Sequence, residues 1–97
     1  IDPKYKDAMY NKGAMLVTAG QDLNKQASAM NLNDWKYDVT IDKAERSFQR
    51  ALEPLEKFVA MEPNNSGVLM VLFQIHQNLG NTDKAKEFKA RYDATVK

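Results

Sequence analysis

The chain has 97 residues, with 14 lysines and arginines against 13 acids, one histidine and no cysteine. Basic side chains scattered among acids exclude the phosphate-tracking stripe of a nucleic-acid binder, and the lack of cysteine excludes disulfides and thiolate metal sites, an absence that fits both cytosol and periplasm. No apolar run approaches the roughly 20 residues that span a bilayer, so direct membrane insertion is not expected.

From Pro3, apolar or small residues fall at Tyr5, Ala8, Met9, Gly13, Leu16, Gly20, Leu23, Ala27 and Met30, in steps of three and four. That spacing predicts one long helix with a continuous inner stripe. Asn31-Leu32-Asn33 breaks the stripe, and Asn33 is the expected N-cap of the next helix. The second stripe runs Tyr37, Ile41, Ala44, Phe48, Ala51, Leu52, Leu55, Phe58 and Val59 and stops before Pro63. Two helices of about 27 residues would each reach roughly 40 Å. Folded back on one another they form an antiparallel hairpin in which Met30 meets Tyr37, Ala27 meets Ile41, Leu23 meets Ala44, Gly20 faces Phe48 and Leu16 lies near Ala51. A residue without a side chain opposite a large ring lets the helices approach closely. Pro54, with no N–H and a ring that clashes with the preceding turn, is expected to bend the second helix near Arg50. Residues 31–62 carry five basic and seven acidic side chains, which a solvated helix face explains.

Ser66 is the expected N-cap of a third helix with the stripe Leu69, Leu72, Phe73, Ile75, His76 and Leu79. Gly80-Asn81 should end it in a left-handed turn, with Thr82 or Asp83 capping a fourth helix that packs through Ala85, Phe88, Tyr92 and Val96. Pro3 and Pro63 are 60 residues apart, as are Gly20 and Gly80, whereas Ala51 and Ala85, and Phe58 and Tyr92, are 34 apart. The difference of 26 describes two copies of a 34-residue helix-turn-helix unit, the first with 26 additional residues between its helices. The fold class expected is therefore all-α, one helical repeat domain over 1–97, with a first repeat at 1–63 and a second, degenerate end repeat at 64–97. A competing offset of 41, from Asp42-Lys43-Ala44 and Asp83-Lys84-Ala85, fails because the proline then falls seven residues late. Ile1-Asp2-Pro3 parallels Met61-Glu62-Pro63 and reads as the last turn of an earlier unit, so a longer parent protein is expected.

These residues resemble the tetratricopeptide repeat. In the second copy the match is Leu69, Leu72, Leu79-Gly80, Ala85 and Tyr92; in the first it is Met9, Tyr10-Asn11-Lys12-Gly13, Leu16 and Gly20, then Ala51, Leu55, Phe58 and Pro63 across the insertion. Phe73, His76 and Lys89 depart from the pattern and make the last unit degenerate, as an end repeat would be. The elongated hairpin, with Ala51-Leu52-Glu53-Pro54-Leu55-Glu56-Lys57 before Pro63, is similar to repeat pairs in tetratricopeptide proteins of the Gram-negative envelope, which points to periplasm or cell envelope while composition leaves the compartment open. The resemblance implies a protein or peptide partner held on a concave face. Its groove positions here are Asp7, Tyr10, Ala14 and Val17, then Gly67, Met70, Gln74, Gln77 and Asn78. They lack the basic set with which the family clamps a peptide carboxylate, and suit a mixed apolar and polar segment such as an amphipathic helix.

Chemistry has little to build from. His76 lies on an apolar stripe with no cysteine or second histidine to join it, so a packed histidine is expected rather than a catalytic or metal-binding one. No glycine-rich phosphate loop is present, and neither cofactor nor metal is expected. Trp35, the only tryptophan, stands at the hairpin tip. Exposed, it is an aromatic anchor of the kind enriched at interface hot spots; folded inward with Leu32 and Tyr37 it closes the hairpin's open end, and this second arrangement is the expectation. The function expected is a non-catalytic protein-interaction scaffold. A structural or self-assembling spacer, a homodimer through the elongated hairpin, is the alternative.

Overall fold

The computed structural model describes residues 3–96, which form four α-helices and no strand: α1 Pro3–Ser28, α2 Trp35–Met61, α3 Ser66–Asn78 and α4 Thr82–Thr95. The parallel drawn for Ile1-Asp2 lies outside the described residues. Helices α1 and α2, of 26 and 27 residues, make the long axis of a body measuring 47 × 29 × 17 Å. Successive helices pack on one another, α1 on α2, α2 on α3 and α3 on α4.

Contacts between α1 and α2 run in opposite order along the two helices. Gly13 lies against the Leu55 side chain and Gly20 against the Phe48 ring, where a Cβ would come within 2.8 Å of the ring carbons. The Ser47 hydroxyl donates to the Leu16 carbonyl at 2.6 Å between them. Further along, Thr40 is buried and its hydroxyl points to the Met30 sulfur at 3.9 Å, so Thr40 takes the inner place expected of Ile41, which is half-buried. At the opposite end the Lys6 ammonium pairs with the Glu62 carboxylate and ties the start of α1 to the end of α2; Glu62 holds that ammonium above its ordinary pKa. Tyr5 and Ala8, expected on the inner stripe, are exposed.

The core is centred where α2 meets α3, with Phe88 of α4 joining it. Leu55, Leu69, Leu72, Ile75 and Val68 are almost completely buried, with Phe48, Ala51, Phe58, Val59 and Phe88 around them. Each such side chain contributes about 1.5–3 kcal/mol by leaving water. Val68 was not on the expected stripe of α3, and Val96, which was on that of α4, is exposed. Pro54 is buried inside α2 and does not end it, because the helix continues to Met61. On the outer face of α2, Asp42–Arg46 and Glu53–Lys57 form exposed pairs four residues apart, the solvated face read from the acidic composition.

The caps sit one residue from their expected places. Asp34, not Asn33, caps α2 by accepting from the Lys36 N–H at 2.9 Å, and Asn65, not Ser66, caps α3 by accepting from the Val68 N–H at 3.1 Å. In both cases an Asx side chain satisfies a first-turn donor. The end of α3 follows the expectation: Gly80 has φ +78, the Asn81 N–H reaches the His76 carbonyl at 2.8 Å, and the Gly80 N–H reaches that of Gln77 at 3.2 Å. Those two bonds define the Schellman ending. Asn81, rather than Thr82 or Asp83, precedes α4, and its side chain makes no cap. Its amide instead lies 3.2 Å from Nδ1 of His76.

His76 is 4% exposed, stacks on Phe88 with ring centroids 5.5 Å apart, and leaves Nε2 without a hydrogen-bond partner. Burial pushes its pKa below the ordinary 6.5, with Glu56 and Glu87 opposing and Lys84 adding to the effect. A group whose folded pKa is depressed stabilises the fold fully above its unfolded pKa, and that contribution is lost as pH falls toward the folded value. Urea denaturation should therefore give a lower midpoint at pH 5.5 than at pH 7.5, and His76→Gln, which removes the only histidine, should flatten the difference. Gly20→Ala gains about 1 kcal/mol of helix propensity but loses about 1–3 kcal/mol to overpacking against Phe48. A lower melting temperature is expected, with recovery in the double variant Gly20→Ala/Phe48→Leu.

Candidate functional site

The long surface groove lies between α1 and α3. One end is a hollow of about 340 Å³ walled by Tyr10, Ala14 and Val17 of α1 and by Gly67 and Val71 of α3, with Leu55 of α2 as its floor. The other is a hollow of about 330 Å³ in which Gln21 and Asn24 of α1 oppose Gln74, Gln77 and Asn78 of α3, over Phe48. Val17 and Val71 belong to both, so the two hollows form one continuous trough.

Helix periodicity explains the alignment. Tyr10, Ala14, Val17, Gln21 and Asn24 advance in steps of four and three, as do Gly67, Val71, Gln74 and Asn78. Such positions lie on one line along each helix. Small residues at Ala14 and Gly67 leave the trough open, while Val17, 8% exposed, joins its wall to the core. Tyr10 is 45% exposed, yet its ring is tilted against Phe58 with centroids 5.4 Å apart. One face of the ring is thus fixed by the core and the other is presented to solvent.

No charged side chain lines either hollow. The Asn78 side-chain amide donates to the Gln74 carbonyl at 3.1 Å, a bond that does not use its oxygen. The site therefore grades from apolar and aromatic, at Tyr10, to amide-lined, at Asn78. It can bury an apolar stripe and hydrogen-bond neutral polar groups, and it offers no counter-charge to a free carboxylate or phosphate.

Of the residues expected from sequence to bind a partner, Tyr10, Ala14, Val17, Gln74 and Gln77 come together in this trough. Met70 is half-buried and lines neither hollow, and Asp7 is exposed outside it. On α3, at about 100° per residue, Met70 falls about 70° round the helix from the centre of the line formed by Gly67, Val71, Gln74 and Asn78. Thr18, Gln21, Asn24 and Val71 line the trough and were not named from the sequence. Extending the Tyr10-Ala14-Val17 line by its own spacing finds Gln21 and Asn24.

Trp35 lies elsewhere and corrects the expectation of an inward-folded tip: it is 71% exposed and Leu32 is 73% exposed. The end of the hairpin is closed instead by Ala27, Met30 and Thr40. Helix α1 stops at Ser28, so nothing stands opposite the first turn of α2, and the indole remains in solvent with the Lys36 ammonium 5.9 Å from its centroid. Tyr37 alone of the three is half-buried.

Compared with protein-family models, with curated proteins and with solved structures, the chain matches none. No described helix is long and apolar enough to cross a membrane.

Tyr10 thus serves both packing and surface. Tyr10→Phe should leave thermal stability unchanged, whereas Tyr10→Ala should lower it by about 0.5–1.5 kcal/mol through loss of the pair with Phe58, measured by urea denaturation.

Proposed function

We propose that this chain is a non-catalytic protein-interaction scaffold. Its four helices are read as two antiparallel pairs stacked in the tetratricopeptide manner, the first pair elongated by the 26 residues between its helices, with a partner segment lying in the trough between α1 and α3. The observation that carries this reading is the convergence of Tyr10, Ala14 and Val17 on one wall with Gln74 and Gln77 on the other. These are the first-helix positions that the repeat resemblance assigns to the concave face.

The trough selects the kind of segment. An apolar and aromatic end continuous with a neutral amide end favours a peptide with an apolar stripe and uncharged polar neighbours, such as one face of an amphipathic helix. A highly charged peptide would lose hydration there without gaining an opposite charge. Tyr10 is preorganised by Phe58, so little side-chain entropy is lost when a partner covers it.

Selection of a random peptide library against the purified chain tests this reading. Selected peptides should carry apolar residues at helical spacing with few charges, and Ala14→Arg should weaken their binding by more than about tenfold while the circular dichroism spectrum and melting temperature stay as in the parent. Peptides that bind Ala14→Arg as tightly as the parent chain would remove the trough as the binding site.

A further inference from the structure

Two surface features lie outside the trough, and their chemistries are complementary. The first is the hairpin tip. Trp35, Asp38, Val39 and Asp42 follow one another at the i, i+3, i+4 and i+7 positions of α2 and share one face. Val39 is 43% exposed, and with Leu32 and Trp35 it makes an open apolar ridge at the end of the molecule. Carboxylates accompany the ridge along its length, with Asp34 at its start and Asp38 and Asp42 beside it, Asp42 being paired with Arg46 at 3.0 Å in the single chain. Scattered exposed apolar residues are ordinary, but a contiguous group of this kind marks a contact surface.

The second is a hollow of about 500 Å³ between α3 and α4, which meets the trough only at Gln77. Phe73, Ala85 and Ala90 give it an apolar floor, and Lys86 and Lys89 stand on its rim. Lys89 is paired with Asp93 at 2.9 Å, and Lys86 has no ion pair among the described residues. The hollow has room for an indole ring and an aliphatic neighbour.

We propose that the Trp35 ridge of one copy seats in the α3–α4 hollow of a second copy, with Asp38 and Asp42 brought against Lys86 and Lys89. Charge selects this occupant. An apolar knob flanked by acids fits an apolar hollow rimmed by lysines, and the indole face accepts an ammonium as it already does from Lys36. Asp34 and Asp38 beside the indole oppose an anionic lipid surface or a nucleic acid, since Lys36 and Arg46 offset no more than part of the acidic charge of Asp34, Asp38 and Asp42. Knob and hollow are different patches of one surface, so the contact is heterologous, and two joined copies still present a free knob and a free hollow. The hollow shares only Gln77 with the trough between α1 and α3, and Lys86, Lys89 and Ala90 line the hollow alone, so changes at these three separate this association from peptide binding in the trough.

Trp35, as the only tryptophan, reports on the contact directly. Sedimentation and tryptophan emission are followed on the full chain from micromolar to millimolar concentration at low salt. The expected result is a mass that rises with concentration, an emission maximum that moves to shorter wavelength in step with it, and reversal of both on adding salt. A chain carrying Lys86→Glu and Lys89→Glu should associate more than about tenfold less tightly, and so should one carrying Asp38→Lys and Asp42→Lys. An equimolar mixture of these two chains should associate again, since each acidic knob then meets a basic hollow. Ala90→Arg, at an exposed position on the hollow, should abolish association and leave the helical content unchanged. A monomer with invariant emission up to millimolar concentration would overturn the proposal, as would association that the charge-reversed chains retain or that their mixture fails to restore.

Discussion

The close approach of α1 to α2 is the constraint on which the rest of the structure depends. Gly13 and Gly20 have no side chain where Leu55 and the Phe48 ring press against α1. Only a backbone can occupy that space. Glycine in a helix interior costs about 1 kcal/mol relative to alanine, and here the cost is offset because Leu55 and Phe48 are almost wholly removed from water. Since interiors are packed as densely as organic crystals, a helix displaced by one side chain would leave a void along the full seam. The two long helices therefore have one separation, fixed by two residues a little under two turns apart.

That separation places everything farther out. Phe48 and Leu55 are shared: one side of each meets the glycines of α1, and each also forms part of the floor of the trough between α1 and α3. A change that moved α1 outward would widen the trough and lift Val17 away from the core. Tyr10 is subject to the same geometry, because its ring is seated on Phe58, one helical turn beyond Leu55. The surface proposed to bind a partner is thus an extension of the core, which is why its shape is set before any ligand arrives.

Much of this arrangement is legible in the sequence, and the reasons are particular. Apolar steps of three and four mark all four helices because each buries one stripe, and the opposition of Gly20 and Phe48 follows from counting outward from a single turn. The left-handed Gly80 is readable because glycine followed by asparagine ends an apolar stripe. Capping residues are displaced by one since Asn33-Asp34 and Asn65-Ser66 each offer two competent neighbours, and local chemistry alone does not choose between them. The tip departs from its apolar pattern for a different reason. Apolar character predicts burial only where something stands opposite, and α1 ends at Ser28, before it reaches Trp35. The trough residues Gln21 and Asn24 went unnamed because amides on a helix face carry no signal until the partner helix is known. Met70 is expected from the repeat resemblance alone, whereas it lines neither hollow of the trough.

The use made of Asn81 has a consequence for how the molecule opens. Its side-chain nitrogen is held at the buried ring of His76, and its side chain makes no cap on the first turn of α4. That helix therefore begins with its leading amides unsatisfied by any side chain, and it is held to the body chiefly by Ala85 and Phe88. Local separations start where caps are missing and buried area is small. Amide protons of α4 would exchange with solvent ahead of those in α2, and the chain would unravel from its carboxyl end while the glycine seam of the long hairpin still held.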